Sequence, residues 1–125
     1  MEITLDIAYG ALLVLHFVGL SALFGGFLVQ FRAIRAGEGK ILPAMLHGAA
    51  TMLVTGLLLV AVAQWQISNG ADFQLDHTKV AVKSIVVTAV LFLTFIYRKR
   101  QAVKRGEMFS IGALTFANVM IAVFW

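Results

Sequence analysis

The chain contains no cysteine and only one proline among its 125 residues. Without thiolates it cannot form disulfides, cysteine-ligated zinc sites or iron–sulfur clusters. Charge is also scarce, since 13% of the residues are Asp, Glu, Lys or Arg, against about 25% in an average soluble domain. These few charges cluster and leave long uncharged runs between them. This pattern excludes a soluble core and indicates an integral membrane protein.

Hydrophobic residues make up 61% of the chain. Four apolar stretches are each close to the ~20 residues that a helix needs to cross a bilayer. The predicted spans cover residues 7–30, 41–64, 78–97 and 108–125. We therefore predict an all-α fold, a single domain over residues 1–125 that forms a four-helix transmembrane bundle. Its expected location is the cell membrane, as a multi-pass protein.

The basic residues predict an orientation for this bundle. Eight of the ten lysines and arginines fall in two linkers, 32–40 and 98–107. The positive-inside rule places both linkers in the cytoplasm and both termini outside. Membrane topology thus accounts for the net charge of +4, which is not a signal for nucleic-acid binding. We also expect the third helix to continue into the second basic linker, with Gly106 as its stop.

Small residues spaced four apart predict close packing of the first two helices. Such spacing lets helix backbones approach each other in membranes. The pairs are Ser21 with Gly25, Ala22 with Gly26, and Ala44 with Gly48.

His16 is the principal candidate for a functional residue, because it lies near the middle of the first span. A histidine at that depth is costly unless it faces protein or water. At 1.5 Å per residue, each of the other three spans places one hydrogen-bonding side chain near the same depth. Together with His16 they form a predicted polar midplane cluster: Thr51, Thr88 and Asn118. The threonines are equally consistent with hydrogen bonds that merely join helices.

A second histidine raises the question of a cofactor. His47, Thr51 and Thr55 follow one another at four-residue intervals on one face of the second helix, which we expect to point inward. Two histidines on different helices can ligate haem b, so His16 and His47 are candidate haem ligands. The alternative for His47 is a hydrogen bond to a neighbouring helix. No metal site other than a haem iron is predicted.

Lys83 lies inside the third span, one turn after Lys79. Two interpretations are open. Its ammonium group can reach the outer surface along the helix, or it can bind an anionic group such as a propionate or a lipid phosphate.

Several of these features together resemble a known group of small membrane proteins. The features are His16 followed by Gly19 and Gly25-Gly26, then a basic linker, Pro43-Ala-Met and the run T-G-L-L-L-V that ends at Val60. The third span adds V-K-S-I-V-V around Lys83 and closes on basic residues. The group comprises HemJ-type protoporphyrinogen oxidases and CopD-type membrane domains. The ending A-N-V-M-I-A-V-F-W is most similar to uncharacterised four-span actinobacterial members. The resemblance implies an association with haem and functional roles for His16 and Lys83.

Three functions follow as alternatives. The leading one is a haem- or porphyrin-associated redox or binding protein. The second is a non-catalytic accessory or assembly subunit of a larger membrane complex, and the third is a small-solute or metal carrier. No catalytic triad, carboxylate pair or phosphate loop is present, so the sequence names no reaction. The expected partners are the lipid bilayer and either further copies of the chain or other subunits of a complex.

Overall fold

A computed structural model of the chain describes residues 2–125, which form five α-helices. They are α1 (Glu2–Val29), α2 (Phe31–Arg35), α3 (Pro43–Ser68), α4 (His77–Tyr97) and α5 (Arg105–Phe124). All but the short α2 are long and apolar enough to cross a membrane. The prediction of an all-α protein with four apolar spans is confirmed, and the chain is an integral membrane protein.

Three of the helices, α1, α3 and α5, are longer than the apolar spans predicted for them. α1 begins before residue 7, α3 continues beyond residue 64, and α5 begins before residue 108. Apolar length reports the thickness of the hydrocarbon, whereas backbone hydrogen bonding continues past the point where polar residues appear. The single turn α2, which follows α1 after Gln30, was not predicted.

The expected continuation of the third helix into the basic linker is wrong. α4 ends at Tyr97, and the guanidinium group of Arg98 folds back to donate a hydrogen bond to the Phe95 carbonyl and to cover its ring. The chain from Arg98 to Lys104 is not helical, and Gly106 lies in the first turn of α5 instead of ending α4. A cation near the last carbonyls of a helix stabilises its end, so the basic run terminates α4 rather than extending it.

The four long helices form a closed ring in the order α1, α3, α4, α5, so α1 lies diagonally from α4 and α3 from α5. Neighbours in the ring are antiparallel. We call the end where α1 and α4 begin the terminal end, and the opposite end, with both basic linkers, the linker end. At the linker end the two connections meet in an isolated antiparallel bridge, in which the Val103 amide donates to the Gly39 carbonyl over 2.7 Å.

The tightly packed core lies towards the linker end. Residues from all five helices and from the second linker contribute side chains that are almost completely inaccessible. These are Leu23, Ile34, Met45, Val90, Thr94, Val103, Met108 and Ile111. Towards the terminal end, few residues are buried, and they are Thr55, Ala63, Val87 and Asn118. The bundle is therefore closed at one end and loosely packed at the other.

One polar side chain organises the first basic linker. The Gln30 amide donates to the carbonyls of Gly26 and Lys40, and its oxygen accepts from the Lys40 amide. Backbone groups that leave helical geometry need such partners when they lie near the membrane. Gln30 thereby fixes the path from α1 to α3.

Glycines bring α1 and α3 into backbone contact. A Cβ atom at Gly48 would lie 2.5 Å from the Gly19 carbonyl oxygen and 2.8 Å from the Leu23 amide nitrogen. Gly26 is also buried, against the side chain of Met45. The predicted close packing of these helices thus occurs, but through Gly19, Gly26 and Gly48. Ala22 also packs against Gly48, whereas Ser21 and Ala44 are exposed and Gly25 faces open space.

The outer surface of the ring is apolar. Large hydrophobic side chains are exposed on each spanning helix, such as Val14 on α1, Val54 on α3, Phe92 on α4 and Phe116 on α5. In water this surface would be an aggregation hazard, whereas lipid chains solvate it.

Candidate functional site

A cavity of about 570 Å³ occupies the loosely packed half of the bundle. All four spanning helices line it, and the segment before α4 contributes to its rim. Most of its wall is apolar, and six polar side chains of the spanning helices line it: Tyr9, His16, Lys79, Lys83, Ser84 and Asn118. Cavities that bind small molecules have this character, an apolar wall with a few placed polar groups and a volume of roughly 300–1,000 Å³.

His16 is held by α3. Its Nδ1 atom lies 2.8 Å from the Thr55 hydroxyl oxygen, which in turn lies 2.6 Å from the Thr51 carbonyl oxygen. When the Thr55 hydroxyl donates to the Thr51 carbonyl, its oxygen accepts from the imidazole Nδ1–H. This arrangement leaves Nε2 with a free lone pair. The ring packs over Gly56, where an added Cβ atom would lie in ordinary van der Waals contact with His16 Cε1, at 3.4 Å.

Lys83 and Asn118 lie one helical turn inward from the rim on adjacent helices. The Lys79 ammonium group is 3.4 Å from the Ala122 carbonyl oxygen and joins α4 to α5 there. Lys83 follows Lys79 by one turn and Asn118 precedes Ala122 by one turn, so both lie about 6 Å deeper in the bundle. Both line the cavity. A cation and a carboxamide therefore share its inner part.

The rim of the cavity is tied together by hydrogen bonds. Asp76 accepts from the Lys79 amide at the start of α4 and from the indole N–H of Trp125, at 3.0 and 2.8 Å. The hydrogen bond from the Lys79 backbone amide and, to a smaller extent, the one from the Trp125 indole lower the pKa of the Asp76 carboxyl group. Lys79 also reaches the Trp125 carbonyl. Asp76 thus caps the N-terminus of α4, and the same carboxylate holds the end of α5 beside α4.

The structure brings together only part of the predicted midplane cluster. His16 and Asn118 line the same cavity. Thr51 is half-buried where α1 crosses α3, with its Cβ atom close to Gly19, and it meets His16 only through Thr55. Thr88 is exposed on the outside of α4. Depth was estimated from helix rise alone, which does not specify the face on which a residue lies.

His47 does not join His16. It is exposed and precedes Thr55, the partner of His16, by eight residues or about 12 Å of helix. Two imidazoles on one iron require nitrogen atoms roughly 4 Å apart, given metal–nitrogen bonds of about 2 Å. Of the three residues expected to point inward from the second helix, only Thr55 is buried, whereas Thr51 is half-buried and His47 is exposed. The pair therefore does not fit two-histidine ligation of a single haem.

Sequence reasoning missed three contributors to this site. Thr55 was placed on the polar stripe but not recognised as the partner of His16, one turn beyond the expected Thr51. Ser84 follows Lys83 directly and was not considered. Trp125 was given no role in the site. Asp76 and Trp125 are far apart in sequence, so no local pattern could have predicted their hydrogen bond.

Comparison of the chain with protein-family models, with curated proteins and with solved structures finds no match.

Proposed function

We propose that this integral membrane protein binds an amphipathic, anionic ligand in the cavity of its terminal half, and that the ligand is a haem or a related porphyrin. The observation that carries the proposal is the convergence of His16 and Lys83 on one largely apolar cavity. An apolar wall suits a macrocycle, and a cation suits the carboxylates at its edge.

The residues present fit a haem that has one histidine ligand. His16 donates from Nδ1 to Thr55, and metal-ligating histidines almost always donate their other ring nitrogen in this way. Nε2 of His16 would hold the iron, and Lys83 would pair with a propionate. A bound haem would supply one-electron redox chemistry. The chain's own residues orient the ring, neutralise charge and keep the site apolar.

Lys83 contributes to this proposal through its lack of a carboxylate partner. Among the side chains that the structure describes, the only ion pair joins Arg100 to Glu107 at the linker end. Lys83 is half-buried and lines the largely apolar cavity. A buried cation is costly without an opposite charge, and an anionic ligand would supply one.

The orientation in the membrane is part of the proposal. The linker end, with eight of the ten lysines and arginines, lies in the cytoplasm by the positive-inside rule. Both termini and the rim of the cavity then lie on the outer side of the cell membrane.

An absorbance titration tests the proposed ligand. Purified protein in detergent should develop a Soret band when haem is added, and His16→Ala should abolish it. The matched control is His47→Ala, which removes an exposed histidine about 12 Å away along α3 and should leave the band unchanged. A wild-type protein without haem affinity would contradict the proposal and favour an accessory subunit. Equal loss in both variants would contradict the role given to His16.

A further inference from the structure

The linker end carries positive charge that the chain itself does not balance. Eight lysines and arginines lie there with only two carboxylates, Glu38 and Glu107. Arg98 donates to the Phe95 carbonyl, and Arg100 forms an ion pair with Glu107. The positive-inside rule accounts for the side on which the basic residues lie, but it names no partner for them. The remaining cations are exposed, and in the described part of the chain their side chains make no hydrogen bond or ion pair: Arg32, Arg35, Lys40, Lys99, Lys104 and Arg105.

Two of these arginines lie beside aromatic side chains where α2 meets α5. The ring centroids of Phe31 and Phe109 are 5.7 Å apart, and the rings meet edge to face. Arg35 lies four residues after Phe31 in α2, so the two share a helix face. Arg105 lies four residues before Phe109 and begins α5 at the linker end. Both arginines therefore lie at the linker end of this aromatic contact.

Aromatic rings continue from this contact towards the middle of the bundle, where α1 meets α5. Phe24 and Phe116 stack there, with ring centroids 6.4 Å apart. Phe31 is 43% exposed and Phe116 54% exposed, so the row faces outward at both places. At 3.6 residues per turn, Arg105, Phe109 and Phe116 fall within about 40° of one another around α5. Phe116 lies about 16 Å deeper than Arg105, a length that an acyl chain spans. We call this surface the aromatic seam: Phe24, Phe31, Phe109 and Phe116.

We propose that the aromatic seam binds an anionic phospholipid from the leaflet at the linker end. The phosphate accepts hydrogen bonds from the guanidinium groups of Arg35 and Arg105, whose planar donors suit phosphate oxygens. One acyl chain lies along the exposed rings. A free phosphate ion would use the cations alone, whereas a lipid uses the cations and the rings together. The seam lies at the opposite end of the bundle from the cavity, so this inference is independent of the proposed function.

Two matched lipids test the charged part of the site. Dioleoyl phosphatidylglycerol and dioleoyl phosphatidylcholine have the same chains, and their binding to delipidated protein in detergent is measured by native mass spectrometry. The anionic lipid should bind more tightly. Arg35→Gln and Arg105→Gln should each weaken its binding about 5-fold, the usual contribution of one basic residue near an anionic headgroup, and should leave phosphatidylcholine unaffected.

Lys99→Gln is the matched control for these two changes. It removes an exposed, unpaired cation at the same end of the bundle, but just after α4, which lies diagonally from α1. The affinity for phosphatidylglycerol should stay within about 2-fold of the wild type, since this cation is not part of the seam. Equal affinities for the two lipids would overturn the proposal. Equal losses in Lys99→Gln and the arginine variants would show a diffuse effect of charge and would also overturn it.

A second pair of variants tests the apolar part. Phe116→Ala should weaken the binding of both lipids by a similar factor, because it removes a ring from under the chain. Phe92→Ala is the control, since Phe92 is 62% exposed on α4, away from the seam, and should leave both affinities unchanged. Full retention of lipid binding in Phe116→Ala, or an equal loss in Phe92→Ala, would overturn the seam as the binding surface. Thermal unfolding without lipid checks that each variant is folded.

Discussion

At the scale of single residues, the position of one proton governs what His16 can do. The Thr55 hydroxyl donates to the Thr51 carbonyl, so it accepts from the imidazole and leaves the other ring nitrogen free. Thr55 thus acts through His16 rather than on a ligand. The side chain is buried and cannot exchange this contact for water without cost.

Thr55→Val keeps the shape of the side chain and removes the hydroxyl. We expect haem affinity to fall about 10- to 100-fold, as for other outer-shell partners of ligating histidines. Stability without ligand should fall by about 0.6 to 1.7 kcal/mol, the scale of hydrogen bonds in membrane bundles. Haem titration and thermal unfolding measure the two effects. Thr94→Val is the control, because that hydroxyl bonds only within α4. Unchanged haem affinity in Thr55→Val would refute the orienting role.

From the sequence, the depth of these residues in the bundle was predictable, but the face of the helix on which each one lies was not. Counting helix rise placed His16 and Asn118 at one level, and both line the cavity. The same count included Thr88, which faces outward. Rotation about a helix axis follows from packing against neighbours, and nearly uniform apolar helices carry little periodic signal for it.

At the scale of helices, the contact of α1 with α3 depends on the absence of side chains. Gly19 and Gly48 face each other closely enough for backbone atoms to touch an added Cβ. Backbone atoms cannot move aside as a flexible side chain can, so this position tolerates no enlargement. Close approach of this kind drives helix association in lipid, where burial from water gives no force between helices.

Gly48→Ala should separate α1 from α3 and lower stability by about 1–3 kcal/mol, the usual cost of overpacking. Gly25→Ala offers a matched comparison on α1, because a Cβ there meets nothing within 4 Å. That variant should be neutral, or more stable by up to about 1 kcal/mol, from helix propensity. Thermal unfolding in detergent distinguishes them, and equal effects of the two changes would contradict the glycine contact.

The existence of the helices was predictable because apolar length is a strong signal in membranes. Their ends were less predictable. α4 stops at Tyr97 because Arg98 folds back onto Phe95, a contact between a side chain and its own helix terminus. The short helix α2 depends on Gln30, whose hydrogen bonds reach Lys40 across the linker. Hydropathy reports neither interaction.

In the molecule as a whole, the end that carries most of the basic residues is also the tightly packed end. The linker end contains the basic linkers and the fully buried residues, whereas the terminal end contains the cavity. The linker half is therefore a packed scaffold, and the terminal half has space for the proposed ligand. The sequence indicated the charge asymmetry, but not the packing, which depends on how four apolar surfaces fit together.

A reporter fusion tests the orientation of the whole chain. A reporter active only in the cytoplasm should give no signal when fused after Trp125 and a strong signal when inserted in the 98–104 linker. The reason is the concentration of basic residues at the linker end. The reverse pattern would invert the topology and place the cavity rim on the cytoplasmic side.

The backbone bridge between Gly39 and Val103 bears on how the chain enters the membrane. The two residues belong to separate helical hairpins, α1–α3 and α4–α5. If α4 failed to cross the membrane, the carbonyl and the amide would lie on opposite faces, about 30 Å apart. The bridge and the burial of Val103 thus form only after α4 has crossed. A chain in which α4 had not crossed would leave the segment around Val103 exposed to proteases.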